Sequence, residues 1–533
     1  MIAKDFDVRN GKLHFPIKSR REDGFVVGVY ADSEKRAEFY IPLALKGEKI
    51  DFYAPFDISR FSADTVTLIS EESDNETLFD SILQGEGVGL YPELYNEYHR
   101  QQIHYSPARG WVNDPNGLFC KDGVFNLYYQ HNIFENIHAG VNISWGHAIT
   151  EDGVHYKELP DAILPHDADY IVASGSAIVD ENNLSGFGKD TIIAAYTRLI
   201  AGRVYILGKD VYTGEGQIVC CSTDGGMTYK PITDGLTIPA PDRTYWRDPK
   251  LFKIDESTLG MAVYETFEGE NCVSFYKSNN CRNWEFCSRN MDLYECPDLF
   301  CLDAEETGEK LWGLYGGNGK YRVGTFENFV FSPLGNEGYL DYGDKVYAGQ
   351  TYNNYPSDKK RLFSAWLREE DDRDAVDKTG RRVGFSQSMS LMSELSIHKT
   401  KHGYRIFRKP IDKISTLRKT CEEVLLNGKI EVFCPGEIEF KVNSDIKFIA
   451  NDILLCYNAK ERKITSVSGK EYELCSENDF NVRIIFDTNS VEICVADEIV
   501  MSFFKDVKKT QFEFVSDSEI TGKIYKYESI WKR

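Results

Sequence analysis

The chain has 533 residues and a net charge of −22, with 62 Lys and Arg against 84 Asp and Glu. At roughly 150 residues per domain, this length predicts three or four domains. The acidic balance argues against a nucleic-acid backbone or an anionic membrane as the main partner. Hydrophobic residues at 42% and charged residues at 27% are typical of globular domains and exclude a disordered chain. The 13% of aromatic residues favours β-sheet.

The N-terminus and the cysteines both bear on the cellular compartment. No apolar core of a signal peptide follows residues 1–7, and no run is long enough to span a membrane. The 13 cysteines are odd in number and include no Cys-x-x-Cys pair. Because this pattern is typical of free thiols in a reducing compartment, we expect a cytoplasmic protein with no membrane partner.

The first 95 residues predict a small accessory β-rich domain. Residues 24–30 and 65–69 have the composition of strands and are bounded by turn residues. Residues 75–83 predict one short helix that ends near Gly85.

Between residues 104 and 395, short aromatic strands alternate with Asp, Asn and Gly turns. Asp122 and Gly123 lie between two apolar runs, which is a strong hairpin signal. A hydroxyl residue, an Asp or Asn turn and an aromatic residue also recur together, at spacings of 72 and 56 residues. This weak repeat fits four-stranded propeller blades. Its copies begin at Thr150, Ser222 and Ser278 and end at Tyr156, Tyr229 and Trp284.

The composition changes again near residue 405. Alternating apolar and polar residues at 437–442 and 482–486 predict a β-sandwich. A charge run at residues 368–374 is followed by Lys378, Arg381 and Arg382, and we expect an exposed loop there. The predicted domains are therefore residues 1–95, a catalytic propeller at 96–400 and a sandwich at 401–533.

Three carboxylates stand in settings suited to chemistry. Asp114 lies within Trp-Val-Asn-Asp-Pro-Asn-Gly, where a tight turn can hold a carboxylate beyond a strand end. Asp248 follows Arg247 on an aromatic strand before a proline, and Glu295 lies among Tyr, Cys and Pro, where we expect poor solvation. Each also has a purely structural interpretation, as a turn cap, a surface ion pair and a partly buried carboxylate respectively.

These carboxylates are 134 and 47 residues apart in sequence. A propeller can bring them together, because the innermost strand of every blade runs along the central axis. Two carboxyls about 5 Å apart define a retaining glycosidase, with one as nucleophile and one as acid/base. Other chemistries have less support. Residues 316–319 are Gly-Gly-Asn-Gly without the Gly-Lys-Ser/Thr of a phosphate loop, and a zinc site has little support.

Three motifs occur in a specific order along the chain. They are His-Tyr-Ser-Pro at 104–107 leading into residues 111–117, Arg-Asp-Pro at 247–249 and Glu-Cys-Pro at 295–297. In this order they resemble the nucleophile, Arg-Asp-Pro and acid/base motifs of glycoside hydrolase family 32, the invertase and fructanase family. The resemblance covers about residues 104–533. Further matches are at residues 144–148, 174–180, 341–351 and 486–492.

The resemblance implies an all-β fold, with a five-bladed β-propeller followed by a C-terminal β-sandwich and preceded here by the extra small N-terminal β-rich domain. It implies that Asp114 is the nucleophile, Glu295 the acid/base and Asp248 the carboxylate that holds two fructose hydroxyls. The implied substrate is a small carbohydrate, either sucrose or a short fructo-oligosaccharide. No metal or organic cofactor is implied, and a homo-oligomer is left open. The substrate-binding residues would be Asn113, Gln130, Trp145, Ser174 and Arg247.

Three departures from the family pattern concern aromatic residues around the pocket. A Trp-Gly pair of many members is missing near Gly140, Ala173 stands where many have Phe, and Trp366 leads into the charge run. Each missing aromatic face is worth about 1 kcal/mol of contact. Because all three carboxylates are present, we expect an active enzyme, and the missing aromatic faces leave its fine specificity open.

Three other functions stay open at this point. A sucrose-6-phosphate hydrolase fits the cytoplasmic expectation and the basic residues Arg381 and Arg382, although the net charge weakly opposes an anionic substrate. A fructosyltransferase would share the covalent intermediate and differ only in the acceptor. A non-catalytic fructan-binding protein is opposed by the complete set of three carboxylates.

Overall fold

The structure is a computed structural model that describes residues 1–531, except 72, 88, 92, 139, 201–212, 241–244, 370–382 and 478. Most of the charge run, with Arg381 and Arg382, therefore lies outside the described residues. In the described part of the chain, regular structure is strand apart from two 3-10 helices, Val8–Asn10 and Asp412–Leu417. The all-β prediction is confirmed. Among these residues, no helix is both long enough and apolar enough to cross a membrane.

The N-terminal residues form two small sheets with strand orders β1-β6-β3-β4 and β5-β2-β7. The strands are β1 (Ile2–Asp7), β2 (Lys12–Ile17), β3 (Phe25–Ala31), β4 (Glu34–Ile41), β5 (Phe52–Asp57), β6 (Thr65–Ser70) and β7 (Leu83–Gln84). The two sheets share one apolar core. Phe134, from the following part of the chain, inserts there against Phe15 and Phe39, with ring centroids 5.2 and 5.1 Å apart. The N-terminal sheets are thus packed firmly onto the rest of the molecule.

The predicted helix at residues 75–83 is wrong. The chain makes successive turns there, with N–H groups bonded to carbonyls three residues back. These turns bury Leu78, Phe79 and Ile82 in the N-terminal core. The apolar spacing of this segment suggests a helix, but successive turns also bury these side chains. Tertiary packing outweighs helix propensity in so short a segment.

Five sheets follow in chain order between Gly110 and Pro410. The first contains β8 (Gly110–Lys121), β9 (Val124–Asn132), β10 (Ser144–Thr150) and β11 (Lys157–Ile163). The second contains β12 (Tyr170–Asp180), β13 (Thr191–Ile200), β14 (Thr213–Ser222), β15 (Lys230–Pro231) and β16 (Ile238–Pro239). The third contains β17 (Trp246–Asp255), β18 (Thr258–Phe267), β19 (Glu270–Ser278) and β20 (Glu285–Met291).

The fourth sheet contains β21 (Asp298–Asp303), β22 (Lys310–Tyr315), β23 (Lys320–Glu327), β24 (Val330–Pro333) and β25 (Gly338–Tyr339). The fifth segment contains β26 (Val346–Thr351), β27 (Arg361–Leu367), β28 (Phe385–Ser386), β29 (Ser388–Met389), β30 (Ser393–Thr400) and β31 (Gly403–Pro410). β28 leaves the fifth sheet and pairs in parallel with β8 of the first. Since β30 pairs with β31 along its whole length, the predicted boundary at 400/401 would cut this hairpin. The change of architecture comes between Pro410 and Arg418.

The first strands of the five sheets surround a common axis. β8 contacts β12, β12 contacts β17, β17 contacts β21, β21 contacts β26, and β26 returns to β8. We call this closed arrangement the ring. It brings the starts of strands that are far apart in sequence to one place, so residues such as Asp114, Asp248 and Glu295 can meet there.

Local turn chemistry explains the hairpins of the ring. Asp122 and Gly123 have φ of 52° and 79°, so the predicted Asp-Gly hairpin between β8 and β9 is confirmed. The three copies of the weak repeat begin at Thr150, Ser222 and Ser278, which end β10, β14 and β19. In each copy an Asp or Asn oxygen accepts hydrogen bonds from backbone N–H groups that follow it. The repeat therefore marks the exit from the third strand of three successive sheets.

The C-terminal residues form two six-stranded sheets, ordered β32-β43-β34-β39-β40-β41 and β33-β42-β35-β36-β37-β38. Their strands are β32 (Arg418–Leu425), β33 (Gly428–Ile430), β34 (Gly436–Val442), β35 (Ile446–Ala450), β36 (Asp452–Asn458), β37 (Lys463–Thr465), β38 (Glu471–Glu473), β39 (Phe480–Phe486), β40 (Ser490–Val495), β41 (Ile499–Phe504), β42 (Phe512–Ser516) and β43 (Thr521–Tyr527). One apolar core lies between the sheets. The two predicted strands fall in β34 and β39, which pair with each other.

A buried histidine joins the ring to the C-terminal sheets. His104 lies 2.8 Å from Asp487 Oδ2 and 2.9 Å from Glu492 Oε1. Burial alone would lower the pKa of His104, but the hydrogen bonds to these two carboxylates raise it to about 9. The imidazolium therefore bridges the two parts of the molecule at neutral pH, directly before the segment that carries Asp114.

Candidate active site

Asp114 lies where the pairing of β8 with β9 shifts register, between Val112 and Pro115. Its carboxylate accepts a 2.7 Å hydrogen bond from Ser174 Oγ and a 3.2 Å hydrogen bond from Asn113 Nδ2. The other end of the Asn113 amide accepts a hydrogen bond from Trp111 Nε1 at 2.9 Å. The backbone of Asp114 has no partner on β9 at this register shift. The hydrogen bonds from Ser174 and Asn113 fix the orientation of its carboxylate.

Asp248 lies on β17 at a second irregular point. Its φ is 62°, and the pairing of β17 with β18 shifts register between Arg247 and Lys250. A positive φ is rare for Asp and persists only where surrounding structure enforces it. Here the backbone N–H of Asp248 donates to Thr197 Oγ1 at 3.0 Å. The Asp248 carboxylate lies 3.6 Å from Arg247 Nε.

Glu295 lies in the connection between β20 and β21, also with positive φ, at 49°. One carboxylate oxygen accepts a hydrogen bond from Arg247 Nη2, and the other accepts one from the Tyr347 hydroxyl. About 18% of the Glu295 side chain is exposed. Both oxygens of Glu295 are thus held by hydrogen bonds, while part of its side chain stays exposed.

Cys296 ties the three carboxylates into one site. Its backbone N–H donates to Asp248 Oδ2 at 3.2 Å, and its thiol lies 3.5 Å from Asp114 Oδ2. Since Cys296 directly follows Glu295, all three carboxylates meet around this one buried residue. The structure therefore brings together Asp114, Asp248 and Glu295, as the sequence predicts.

The glycine-rich residues 316–319 brace the Glu295 turn. Gly317 N–H donates to the carbonyls of Tyr294 and Glu295 at 2.8 and 2.7 Å. A Cβ at Gly316 would lie 2.7 Å from the Tyr294 carbonyl oxygen, a contact with backbone that cannot give way. This segment is therefore a support for the Glu295 turn, consistent with the absence of a phosphate-loop signature.

The site concentrates negative charge in a buried place. Burial raises the pKa of Asp114. Burial also raises the pKa of Asp248 to about 7, with further contributions from the charges of Glu295 and Asp114, while Arg247 acts in the opposite direction. Arg247 stays charged, because the carboxylates of Asp248 and Glu295 raise its pKa. Asp248 therefore retains a proton up to near neutral pH, although Arg247 lies beside it.

A second layer locks the first strands of three sheets together. Lys250 Nζ lies 2.8 Å from Asp298 Oδ2, with both side chains almost fully buried. Asp298 also accepts hydrogen bonds from the backbone N–H and the hydroxyl of Thr351 at 2.7 and 2.9 Å. This network joins β17, β21 and β26 close to the carboxylates and keeps their relative positions fixed.

The five predicted substrate-binding residues separate into two groups. Asn113, Ser174 and Arg247 contact the carboxylates directly. Gln130 instead donates its amide N–H to the Val172 carbonyl at 3.0 Å. Trp145 has no exposed surface and donates to the Ala173 carbonyl at 3.1 Å. In this structure Gln130 and Trp145 thus bond to the neighbouring sheet, and their predicted role in substrate binding stays a prediction.

Aromatic side chains are present on one wall of the site despite the departures near Gly140 and Ala173. Trp366 packs edge-on against Trp111 and Tyr347, with ring centroids 6.0 and 6.3 Å apart. Its indole N–H donates to Gln387 Oε1 at 3.1 Å. Trp366 therefore lies beside the residues that hold Asp114 and Glu295.

A model of one protein family matches residues 104–410, which is more than half of the chain and spans the whole ring. Its description is the N-terminal domain of glycosyl hydrolases family 32. The chain belongs to glycosyl hydrolase family 32. The family assignment that the three motifs predict is confirmed, and with it the class of glycoside hydrolases.

Two curated proteins show how similar this sequence is to its relatives and how much of each chain the similarity covers. The levanase of Bacillus subtilis is 30% identical over 354 residues, covering 62% of this chain and 49% of the levanase. The exo-inulinase of Aspergillus niger is 32% identical over 315 residues, covering 51% of this chain and 58% of the relative. The chain thus spans about half the length of these curated relatives.

The solved exo-inulinase of Aspergillus awamori shares the fold, with a TM-score of 0.68 and 20% identity over 82% of this chain and 100% of that one. The likeness confirms the coarse architecture, a β-propeller followed by a β-sandwich.

Two contributors to the family 32 site were not assigned a role from sequence. Tyr347 donates to Glu295, and Cys296 holds Asp248 and Asp114 through its N–H and thiol. Both lie inside segments that resemble the family, but no local signal shows what they contact. Only the closure of the ring brings Tyr347 to Glu295.

Replacing Asp248 by Asn is expected to stabilise the fold at alkaline pH. The pKa of native Asp248 is about 7 against an ordinary value of 3.8, so the native state binds an extra proton between these values. Wild-type stability therefore falls as pH rises from about 4 to 7, by on the order of 4 kcal/mol. Asp248→Asn removes this loss, so thermal unfolding should show a larger gain in Tm at pH 8 than at pH 5.

Asp122→Asn is the matched control, because Asp122 lies in an exposed turn of the same ring. An equal change in Tm at both pH values for Asp248→Asn would contradict the charged, buried state of Asp248 at alkaline pH.

Proposed function

We propose that this chain is a retaining β-fructofuranosidase that hydrolyses terminal β-D-fructofuranosyl residues from sucrose or short fructo-oligosaccharides. The meeting of Asp114, Asp248 and Glu295 around Cys296 carries the proposal. A pure binding site has no need for three carboxylates in one place, where burial and neighbouring charges raise the pKa values of Asp114 and Asp248 at a cost in stability. Family membership and the levanase and exo-inulinase relatives support fructans and sucrose as the substrate class.

In the first step, Asp114 attacks the anomeric carbon of the fructosyl unit and forms a covalent ester, while Glu295 gives its proton to the leaving oxygen. Ser174 and Asn113 hold the Asp114 carboxylate by hydrogen bonds and keep it oriented for this attack. Tyr347 and Arg247 hold both oxygens of Glu295, which orients the acid toward the leaving group.

In the second step, Glu295 takes a proton from water, and the resulting hydroxide displaces Asp114 from the anomeric carbon. Two inversions give net retention of configuration. Asp248 accepts hydrogen bonds from fructose hydroxyls and holds the ring between nucleophile and acid, while the neighbouring Arg247 orients the Asp248 carboxylate. Its carboxylate position, bonded to Cys296 N–H, supports this role.

We also propose that the five sheets are the blades of a five-bladed propeller, and that the two N-terminal sheets are an accessory domain. The closed order of first-strand contacts supports the number of blades. All thirteen cysteines are free thiols, which supports a reducing, cytoplasmic location.

A substrate panel tests the function. Fructose release should be measured for sucrose, sucrose 6-phosphate, short inulin-type and levan-type oligomers, and polymer. We expect release from sucrose and short oligomers with kcat/KM at least about tenfold above that for the polymer, since a single buried fructosyl site favours chain ends.

The rival functions are outcomes of the same panel. A strong preference for the 6-phosphate would replace the proposal by a phosphate-specific hydrolase. Oligomers formed from concentrated sucrose without matching free fructose would show a transferase. Binding of oligomers without any fructose release would show a binding protein.

A further inference from the structure

Two exposed tyrosines stand at the rim of the carboxylate site. Tyr245 is 46% exposed and Tyr294 is 41% exposed. Tyr245 comes two residues before Arg247, and Tyr294 directly precedes Glu295. Two large aromatic side chains exposed beside the same carboxylate site offer a surface that a ligand can cover, because burial of aromatic faces is favourable.

A buried anchor holds this pair in place. Tyr264 is the cross-strand partner of Arg247, is 2% exposed, and donates its hydroxyl to Asn271 at 2.7 Å. The ring of Tyr294 packs edge-on against Tyr264 with centroids 5.7 Å apart. The guanidinium of Arg247 lies over both Tyr264 and Tyr245, at 5.1 and 5.5 Å from their ring centroids. Four side chains thus form one connected surface rather than scattered aromatics.

The backbone beneath this surface is rigid. The carbonyl of Tyr294 accepts a hydrogen bond from Gly317 N–H at 2.8 Å, and Gly316 fits closely below it. Glu295, the next residue, is held in a left-handed conformation. A platform that is fixed before ligand arrives loses little conformational entropy on binding.

The position of Glu295 tells which part of a substrate would meet the platform. The acid must lie against the leaving oxygen, and Arg247 donates a hydrogen bond to the Glu295 carboxylate. The first sugar of the leaving group would therefore lie by Glu295 and Arg247. Tyr294 directly precedes Glu295, and the Tyr245 ring centroid lies 5.5 Å from the Arg247 guanidinium, so a second sugar of the leaving group would come next to these two tyrosines.

We propose that Tyr245 and Tyr294 form a stacking subsite for the second and later sugars of the leaving group, so that the enzyme favours fructo-oligosaccharides over sucrose. This inference rests on the proposed function. The apolar faces of sugar rings pack on the tyrosine rings, and the phenol hydroxyls and Arg247 face the sugar hydroxyls. Tyr245 and Tyr294 would thereby compensate, at another edge of the site, for the aromatic residues that are missing near Gly140 and Ala173.

The test compares kcat and KM for sucrose and for a fructo-oligosaccharide of five sugars in Tyr245→Ala, Tyr294→Ala and the double variant. We expect the double variant to lower kcat/KM for the pentasaccharide about tenfold more than for sucrose, mainly through KM. Tyr294→Trp should retain the preference for the longer substrate, because it keeps an aromatic face.

Phe187→Ala is the matched control, since Phe187 is 42% exposed and lies in the connection between β12 and β13, beyond the end of β12 opposite Ser174. An equal loss for both substrates in the double variant, or no loss for either, would overturn the subsite while leaving fructose release by the wild type intact. Wild-type protein that releases no fructose from any substrate would instead overturn the proposed function itself.

Discussion

Replacing Asp114 by Asn is expected to lower kcat/KM for fructose release by about 10⁴-fold or more, the scale seen when a covalent nucleophile is removed. Asparagine is nearly the same shape and still accepts the hydrogen bond from Ser174 Oγ, so the fold should persist. Because burial raises the pKa of Asp114, the neutral side chain should also keep or raise the Tm at neutral pH. Initial rates on sucrose and thermal unfolding measure both effects.

Asp122→Asn provides the comparison for this variant. Asp122 lies at the far end of the same strand, 85% exposed, in an ion pair with Lys121. Asparagine tolerates its positive φ, and a surface ion pair contributes little to stability. Activity of Asp114→Asn within tenfold of Asp122→Asn would show that the nucleophile lies elsewhere.

Replacing Glu295 by Gln is expected to produce a loss that depends on the leaving group. For sucrose, whose leaving sugar needs a proton, kcat/KM should fall by about 10³-fold. For an aryl β-fructofuranoside, whose leaving phenol is a much weaker base, the first step should stay fast and the second should become limiting. A burst of phenol followed by slow turnover is the expected signature.

Addition of azide further distinguishes the role of Asp114 from that of Glu295. It attacks the covalent intermediate without the help of a base, so added azide should accelerate steady turnover of Glu295→Gln on the aryl substrate. Asp114→Asn forms no intermediate and should gain nothing from azide or from the better leaving group. The same response in both variants would contradict the separate roles of Asp114 and Glu295.

The three carboxylates could be located from sequence because each stands at a local irregularity of the backbone. Asp114 falls at a register shift, while Asp248 and Glu295 have positive φ. Such conformations need particular neighbours, and the Pro, Gly and Cys residues around these positions are visible in the motifs. Local turn chemistry likewise predicts the hairpin at Asp122 and Gly123.

Contacts between sheets could not be predicted in the same way. Tyr347 lies 52 residues from Glu295, and only the ring brings the hydroxyl to the carboxylate. Trp145 and Gln130 lie in motifs beside the site, but the packing of the second sheet against the first determines how deeply their side chains are buried. The helix predicted at residues 75–83 fails for the same reason, since its apolar residues pack into the N-terminal core as turns.

The covalent intermediate offers the most direct measurement of the central claim. Glu295→Gln protein should be mixed with an aryl β-fructofuranoside, quenched in acid during slow turnover, digested and analysed by peptide mass spectrometry. We expect one fructosyl unit on the peptide that contains Asp114, assigned by fragmentation to that residue. A fructosyl unit on a different residue, or a full burst of phenol with no modified peptide, would contradict the account.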